Sequence, residues 1–196
     1  MNSTHFQYWP ARLPKTLTVP KTTLYENLVI TTKKYPQKQA LHYYGKSYTY
    51  KQLLDEVERL AGYLEKVLQV KSNEKILLFM QNSPQFIISF FAILRVRAVV
   101  VPINPMSLTK DLEFYIKDCQ IKHALVSQEL YEKVAPLKGF TSLQSIIVTT
   151  YSDYASEEQA IGNLPPEVKA PRQTLSQDIS WQEVQKTGFS PSLILV

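Results

Sequence analysis

Residues 72–105 read SNEKILLFMQNSPQFIISFFAILRVRAVVVPINP. Residues 75–80 are an apolar run opened by Lys75, the pattern of a strand covered on both faces. Ser83 followed by Pro84 is a helix start: the hydroxyl can accept a first-turn N–H, and proline at the first helical position lacks only a donor that would be unused there. The helix predicted from it ends near Arg95, and residues 98–103 form a second apolar run closed by Asn104 and Pro105. Strand, helix and strand make one βαβ unit, with no nucleophile–base pair, metal cluster or glycine-rich phosphate loop inside it.

Upstream, Thr49 and Gln52 have the spacing of a capping box, and Leu53, Val57, Leu60, Leu64 and Val67 follow at helical period. Ahead of them, residues 40–44 and 47–50 flank Gly45-Lys46 as a predicted hairpin. A helix is predicted over 23–35, with Leu24, Leu28 and Thr31 or Thr32 on its inner side and Pro36 ending it. Residues 1–22 carry Pro10, Pro14 and Pro20 among aromatics and read as an extended arm.

Downstream, Thr109 is positioned to cap a helix whose inner face is Leu112, Tyr115, Ile116 and Cys119. Residues 122–127 and 144–150 are further apolar strands, with a short helix over 129–136 between them. Strands that alternate with helices over short connections predict an α/β fold, doubly wound, with a mostly parallel sheet and helices on both faces. The unit spans 23–150; 151–180 is a polar, proline-bearing loop or linker in which Ile179, Ser180 and Trp181 form a small strand or anchor, and 181–196 is a return strand. That last stretch rises into Leu193, Ile194, Leu195 and Val196 and stops, so the expectation is a truncated chain.

The net charge of +5 comes from dispersed lysines interleaved with 17 acids, a solvated surface rather than a nucleic-acid face. One cysteine makes no intrachain disulfide and fits a reducing, cytoplasmic setting. The N-terminus has no secretory pattern, and the longest apolar run stops at Arg95, too short to cross a bilayer. His5, His42 and His123 are far apart, His123 reading as a sheet-end polar residue, and the five glycines make no phosphate nest. Tyr43, Tyr44, Tyr48 and Tyr50 cluster at the hairpin, where cross-strand packing accounts for them.

The order Tyr48-Thr49-Tyr50 with Leu53, the strand from Lys75, Gln81-Asn82-Ser83-Pro84 with Phe86, Ala98-Val99-Val100-Val101-Pro102-Ile103-Asn104-Pro105 and Leu112-Glu113-Phe114-Tyr115-Ile116 resembles the N-terminal part of the adenylate-forming enzymes. In particular it is similar to the AMP-forming acyl-CoA synthetases, the long-chain fatty-acid–CoA ligases. The resemblance implies a parent that converts ATP, a carboxylic (fatty) acid and CoA, with Mg²⁺, into acyl-CoA, AMP and pyrophosphate through an acyl-adenylate. In that family an apolar strand like 193–196 leads into a Ser/Thr/Gly-rich phosphate loop, and the adenine motif and catalytic lysine come later still. The resemblance therefore assigns no catalytic, cofactor-binding or metal residue and no bound cofactor to these 196 residues, which alone are expected to be inactive. Its glycines before the first and second strands are replaced by residues 71–74 and by Arg97, where a long cation is expected to disturb helix–strand packing. A homodimer, a peripheral membrane contact and a ligand at the Asn104-Pro105 turn stay open. The rival reading is a stand-alone, non-catalytic α/β binding module with an anionic partner.

Overall fold

The computed structural model describes residues 4–156, 164–173 and 178–192. In chain order its elements are α1 (Leu24–Lys34), β1 (Gln39–Tyr43), β2 (Lys46–Thr49), α2 (Tyr50–Lys66), β3 (Lys75–Phe79), α3 (Pro84–Arg95), β4 (Val99–Pro102), α4 (Thr109–Cys119), β5 (His123–Ser127), α5 (Tyr131–Val134), β6 (Ser145–Thr149), α6 (Pro166–Lys169), β7 (Ile179–Ser180) and α7 (Trp181–Lys186). Thr4–Tyr8 is a 3-10 turn in the exposed arm.

Five strands form one parallel sheet in the order β4-β3-β5-β6-β7, while β1 and β2 pair antiparallel as a separate hairpin. Alternation along each strand divides the apolar side chains between two cores. Ile76, Leu78, Leu125 and Ile147 join α2, α3 and α7 on one face, and Leu77, Phe79, Ala124, Val126 and Ile146 join α4 and α5 on the other. This is the doubly wound arrangement the apolar runs predict. Val57, Leu60, Ala61 and Leu64 on α2 are fully buried, the valine and the two leucines each contributing about 1.5–3 kcal/mol through removal from water.

The caps follow the local chemistry. Thr49 N donates to Gln52 Oε1 at 2.8 Å and Gln52 N to Thr49 Oγ1 at 3.2 Å, closing the predicted capping box. Ser83 Oγ accepts from Phe86 N at 3.2 Å. Ahead of α4 the expected Thr109 cap is displaced by one residue: Leu108 is the N-cap, and Asp111 Oδ2 accepts from its N–H at 3.0 Å, the backward half of a capping box that needs no hydroxyl at the cap.

Other expectations shift for stated reasons. The hairpin turn is Tyr44-Gly45, one residue earlier than predicted, with φ of 38° and 80°, as a two-residue turn matched to strand twist requires. Leu24 is exposed, none of the described residues covering the entry of α1, whose buried residues are Leu28 and Thr32. Tyr115 lies at the rim, 36% exposed. The helix expected over 129–136 is split into a 3-10 turn (Gln128–Leu130), α5 and a second 3-10 turn (Ala135–Gly139), since Pro136 has no N–H to continue the ladder.

Arg97 does not disturb packing as expected: its side chain is exposed, and its peculiarity is a φ of 59°. It follows the C-terminus of α3, where Ala98 N donates to Ile93 O at 3.1 Å, the closure in which a left-handed residue turns the chain out of the helix and glycine is favoured. Asn73, before β3, is likewise left-handed at 64°, and its N–H donates to Arg97 O at 2.8 Å.

In the stretch expected to be a loop over 151–180, Tyr151, Tyr154 and Val168 are buried, and Ile179 and Ser180 pair with Ile147 and Val148. Where a return strand is expected, Trp181–Lys186 is helical, with Ser180 Oγ accepting from Glu183 N at 3.2 Å; the apolar run 193–196 lies outside the described residues. Beyond α7 the chain lies on α2 and α3. A Cβ on Gly62 would stand 2.6 Å from Phe189 O, Ser192 N donates to Glu65 Oε2 at 2.7 Å, and Arg95 Nη2 donates to Ser192 O at 2.9 Å. Arg95, 8% exposed, also donates from Nε to Glu58 Oε1 at 3.2 Å.

Candidate functional site at the C-terminal end of the sheet

The strand order reverses between β3 and β5, so the crevice beyond their C-terminal ends is where a doubly wound sheet holds ligands. The Asn104-Pro105 turn is at the same end of the sheet but follows the edge strand β4, one strand away from that crevice. Asn104 Oδ1 accepts from Met106 N at 2.9 Å, and Lys133 Nζ caps the turn by donating to Pro105 O and Ser107 O, both at 3.1 Å.

At the crevice itself the strands end in polar residues. Tyr151 Oη accepts from Gln81 N at 2.6 Å, tying the loop after β3 to the segment after β6. Gln85, fully buried on α3, donates from Nε2 to Thr150 O at 2.7 Å. Thr150 Oγ1 donates to Gln128 Oε1 at 3.0 Å, Gln173 N donates to the same oxygen at 3.1 Å, and Gln128 Nε2 donates to Pro171 O at 3.0 Å. Three strand ends and residues 171–173 are thus held by one chain of amides and hydroxyls.

Two buried groups here have no partner among the described residues, Thr149 Oγ1 and Gln85 Oε1, while the Ser127 hydroxyl lies by the Glu129 carboxyl and the Tyr151 phenol. Burial pushes the Glu129 carboxyl above its ordinary value, and Glu167 adds to this, against partial opposition from nearby N–H and O–H groups. Burial likewise raises the Tyr151 phenol, with Glu129 and Glu167 adding to the effect. The edge is therefore rich in hydrogen-bonding groups, with the Glu129 carboxyl among them and Arg172 beside Gln173.

The structure brings none of the histidines or the cysteine to this edge. His123 begins β5, at the opposite end of the sheet, hydrogen-bonded through Nδ1 to Ser145 Oγ at 3.1 Å; burial lowers its pKa, the nearby Glu74 opposing and Lys122 assisting. His42 lies on the hairpin against Ser47 Oγ at 2.9 Å. His5 is in the arm, and Cys119 packs half-buried against the α4 core. Gln85, Ser127, Gln128, Glu129 and Thr150 were not singled out from the sequence; the available signal was a polar residue closing each apolar run, in Ser127-Gln128-Glu129 and Thr149-Thr150.

The AMP-binding enzyme family matches residues 29–185, well over half of the chain. The chain belongs to the AMP-binding enzyme family. Among its relatives, a long-chain-fatty-acid–CoA ligase of Bacillus subtilis is 27% identical over 146 residues, 74% of this chain and 26% of that protein. An oxalate–CoA ligase of Arabidopsis thaliana is 35% identical over 98 residues, 50% of this chain and 19% of that protein. The chain thus spans about a quarter or less of these relatives. The crystal structure of a long-chain-fatty-acid-CoA ligase from Archaeoglobus fulgidus superposes with a TM-score of 0.62 at 24% identity, over 68% of this chain and 28% of that one, a likeness of fold.

The network offers amides, hydroxyls and the Glu129 carboxyl, the hydrogen-bonding complement of a polar ligand. Among the described residues no group of three His, Cys, Asp or Glu could hold a metal ion. No helix among them is long and apolar enough to cross a membrane.

Proposed function

We propose that this chain is the N-terminal α/β unit of an AMP-forming acyl-CoA ligase acting on fatty acids, and that it serves as scaffold while the groups that handle ATP, Mg²⁺ and CoA lie on other segments. The observation that carries this reading is the family match over 29–185 in a chain that spans about a quarter of its relatives. The fatty-acid assignment is supported by the names of relatives such as the Bacillus subtilis ligase, and oxalate is the competing acid among those relatives.

Palmitate-driven exchange of labelled pyrophosphate into ATP, measured on the 196 residues alone with Mg²⁺, is expected to stay at the no-protein background; clear turnover would overturn the scaffold reading. A polypeptide joining this chain to a downstream phosphate loop is expected to exchange faster with palmitate than with oxalate. The reverse order would remove the fatty-acid assignment and leave the ligase reading in place.

A further inference from the structure

The outer face of α4 is organised in a way the sheet does not call for. Leu112 and Ile116 turn inward and are fully buried, whereas Phe114, on the opposite side, is 64% exposed. Lys110, Phe114 and Asp118 recur every four residues and so form one ridge along the helix. Glu113 and Lys117 begin the neighbouring ridge, joined by an ion pair at 2.6 Å. Between the two ridges runs an open groove of about 370 Å³, lined by these five residues.

The charges on the Phe114 ridge are placed against the interest of their own helix. Asp111 in the first turn and Lys117 in the last suit the helix ends, but Lys110 stands near the positive N-terminus and Asp118 near the negative C-terminus. Among the described residues neither Lys110 nor Asp118 has an ion-pair partner. They cannot serve each other, because eight residues separate them by about 12 Å along the axis.

A second copy of the same helix, turned end for end, resolves both features. With a two-fold axis at Phe114, residues equally far from it in sequence face one another, so Lys110 meets Asp118 of the other copy and Asp118 meets Lys110. The ridge then drops into the groove of the facing helix, the commonest way for two helices to pack, with axes about 8–10 Å apart. Each Phe114 ring leaves water in the middle of the contact.

We propose that α4 is a self-association surface, two copies of this chain packing α4 against α4 in antiparallel fashion about Phe114, with Lys110 of each paired to Asp118 of the other. The occupant is a second copy because the charge pattern is its own complement under a two-fold axis. One helix face is smaller than a standard interface, so the dimer is weak and forms with rising concentration. The surface is independent of the ligase reading, since it uses none of the switch-point network.

The test is sedimentation velocity of the 196-residue chain from about 10 to 500 μM, the range in which so small an interface operates. The sedimentation coefficient is expected to climb toward that of a dimer, and to climb less at high salt. Phe114→Glu is expected to stay monomeric throughout. Asp118→Lys, which sets lysine against Lys110 of the other copy, is expected to weaken association about tenfold. Adding Lys110→Asp to Asp118→Lys is expected to restore it to within about twofold of wild type, a recovery that general damage to the fold would not give. Leu17→Glu in the exposed arm is expected to change nothing. A wild-type chain that is monomeric at every concentration would overturn the proposal and give this face to a different partner. A dimer that survives Phe114→Glu or is lost in Leu17→Glu would place association elsewhere and overturn it too, and failure of the double exchange to rescue would overturn the antiparallel pairing.

Discussion

The two ends of the parallel sheet are built on opposite plans. At the N-terminal end the connections into the strands are tight and strained: Gln69 and Asn73 precede β3, Arg97 precedes β4 and Gln120 precedes β5, all at positive φ and none a glycine. At the C-terminal end the strands run into Gln81, Ser127-Gln128-Glu129 and Thr149-Thr150-Tyr151, joined by hydrogen bonds between distant segments. Strain at one end is a cost carried by the apolar middle, and unpaired polar atoms at the other are a second cost. The difference teaches that short turns set the spacing of the layers at one end, leaving the longer connections at the other free to carry chemistry.

The comparison can be broken in order of effect. Leu78→Ala in β3, which both ends share, empties a fully buried position and is expected to cost about 2–5 kcal/mol in urea unfolding. Gln85→Leu strands the Thr150 carbonyl without its donor and is expected to cost about 1–3 kcal/mol, with faster amide exchange at Gln128 and Tyr151. At the other end Arg97→Gly should act in reverse and stabilise by about 0.5–1 kcal/mol, since the left-handed penalty it relieves exceeds the extra freedom given to the unfolded chain. An unchanged or lower midpoint would show that Arg97 carries no backbone strain.

The smallest effects are slopes with pH, of opposite sign at the two ends. The folded-state pKa of Glu129 is raised, so the folded chain binds its proton more tightly; stability from this group is full below the ordinary value of 4.5 and is lost as pH rises through the folded value. Glu129→Gln should therefore gain stability over wild type at pH 7 and lose that advantage toward pH 4. The folded-state pKa of His123 is depressed, so its contribution is present above 6.5 and is lost as pH falls through the folded value. His123→Gln should flatten thermal melts below pH 6.5 and leave them unchanged at pH 8.

What was legible in the sequence was local. The Ser83-Pro84 start, the Thr49–Gln52 box and the apolar runs each declare themselves within a few residues, and they fix the strand–helix alternation. Two kinds of feature were not local. The left-handed turn at Arg97 is imposed by how α3 must pass into β4, and its side chain gives no sign of it. The polar edge is assembled from partners 70, 65 and 45 residues apart, Gln81 with Tyr151, Gln85 with Thr150 and Gln128 with Gln173. Each member reads alone as an ordinary surface residue.

The close approach at Gly62 has a consequence for how the chain is made. The outer face of α2 is finished only when Phe189 reaches Gly62 and Ser192 reaches Glu65, a partner 127 residues further along. At synthesis rates of about 5–20 residues per second, α2 waits roughly 6–25 s on the ribosome for that cover to arrive. Over that interval the face of α2 around Gly62 is uncovered, and glycine at position 62 is what lets the late backbone close down on it.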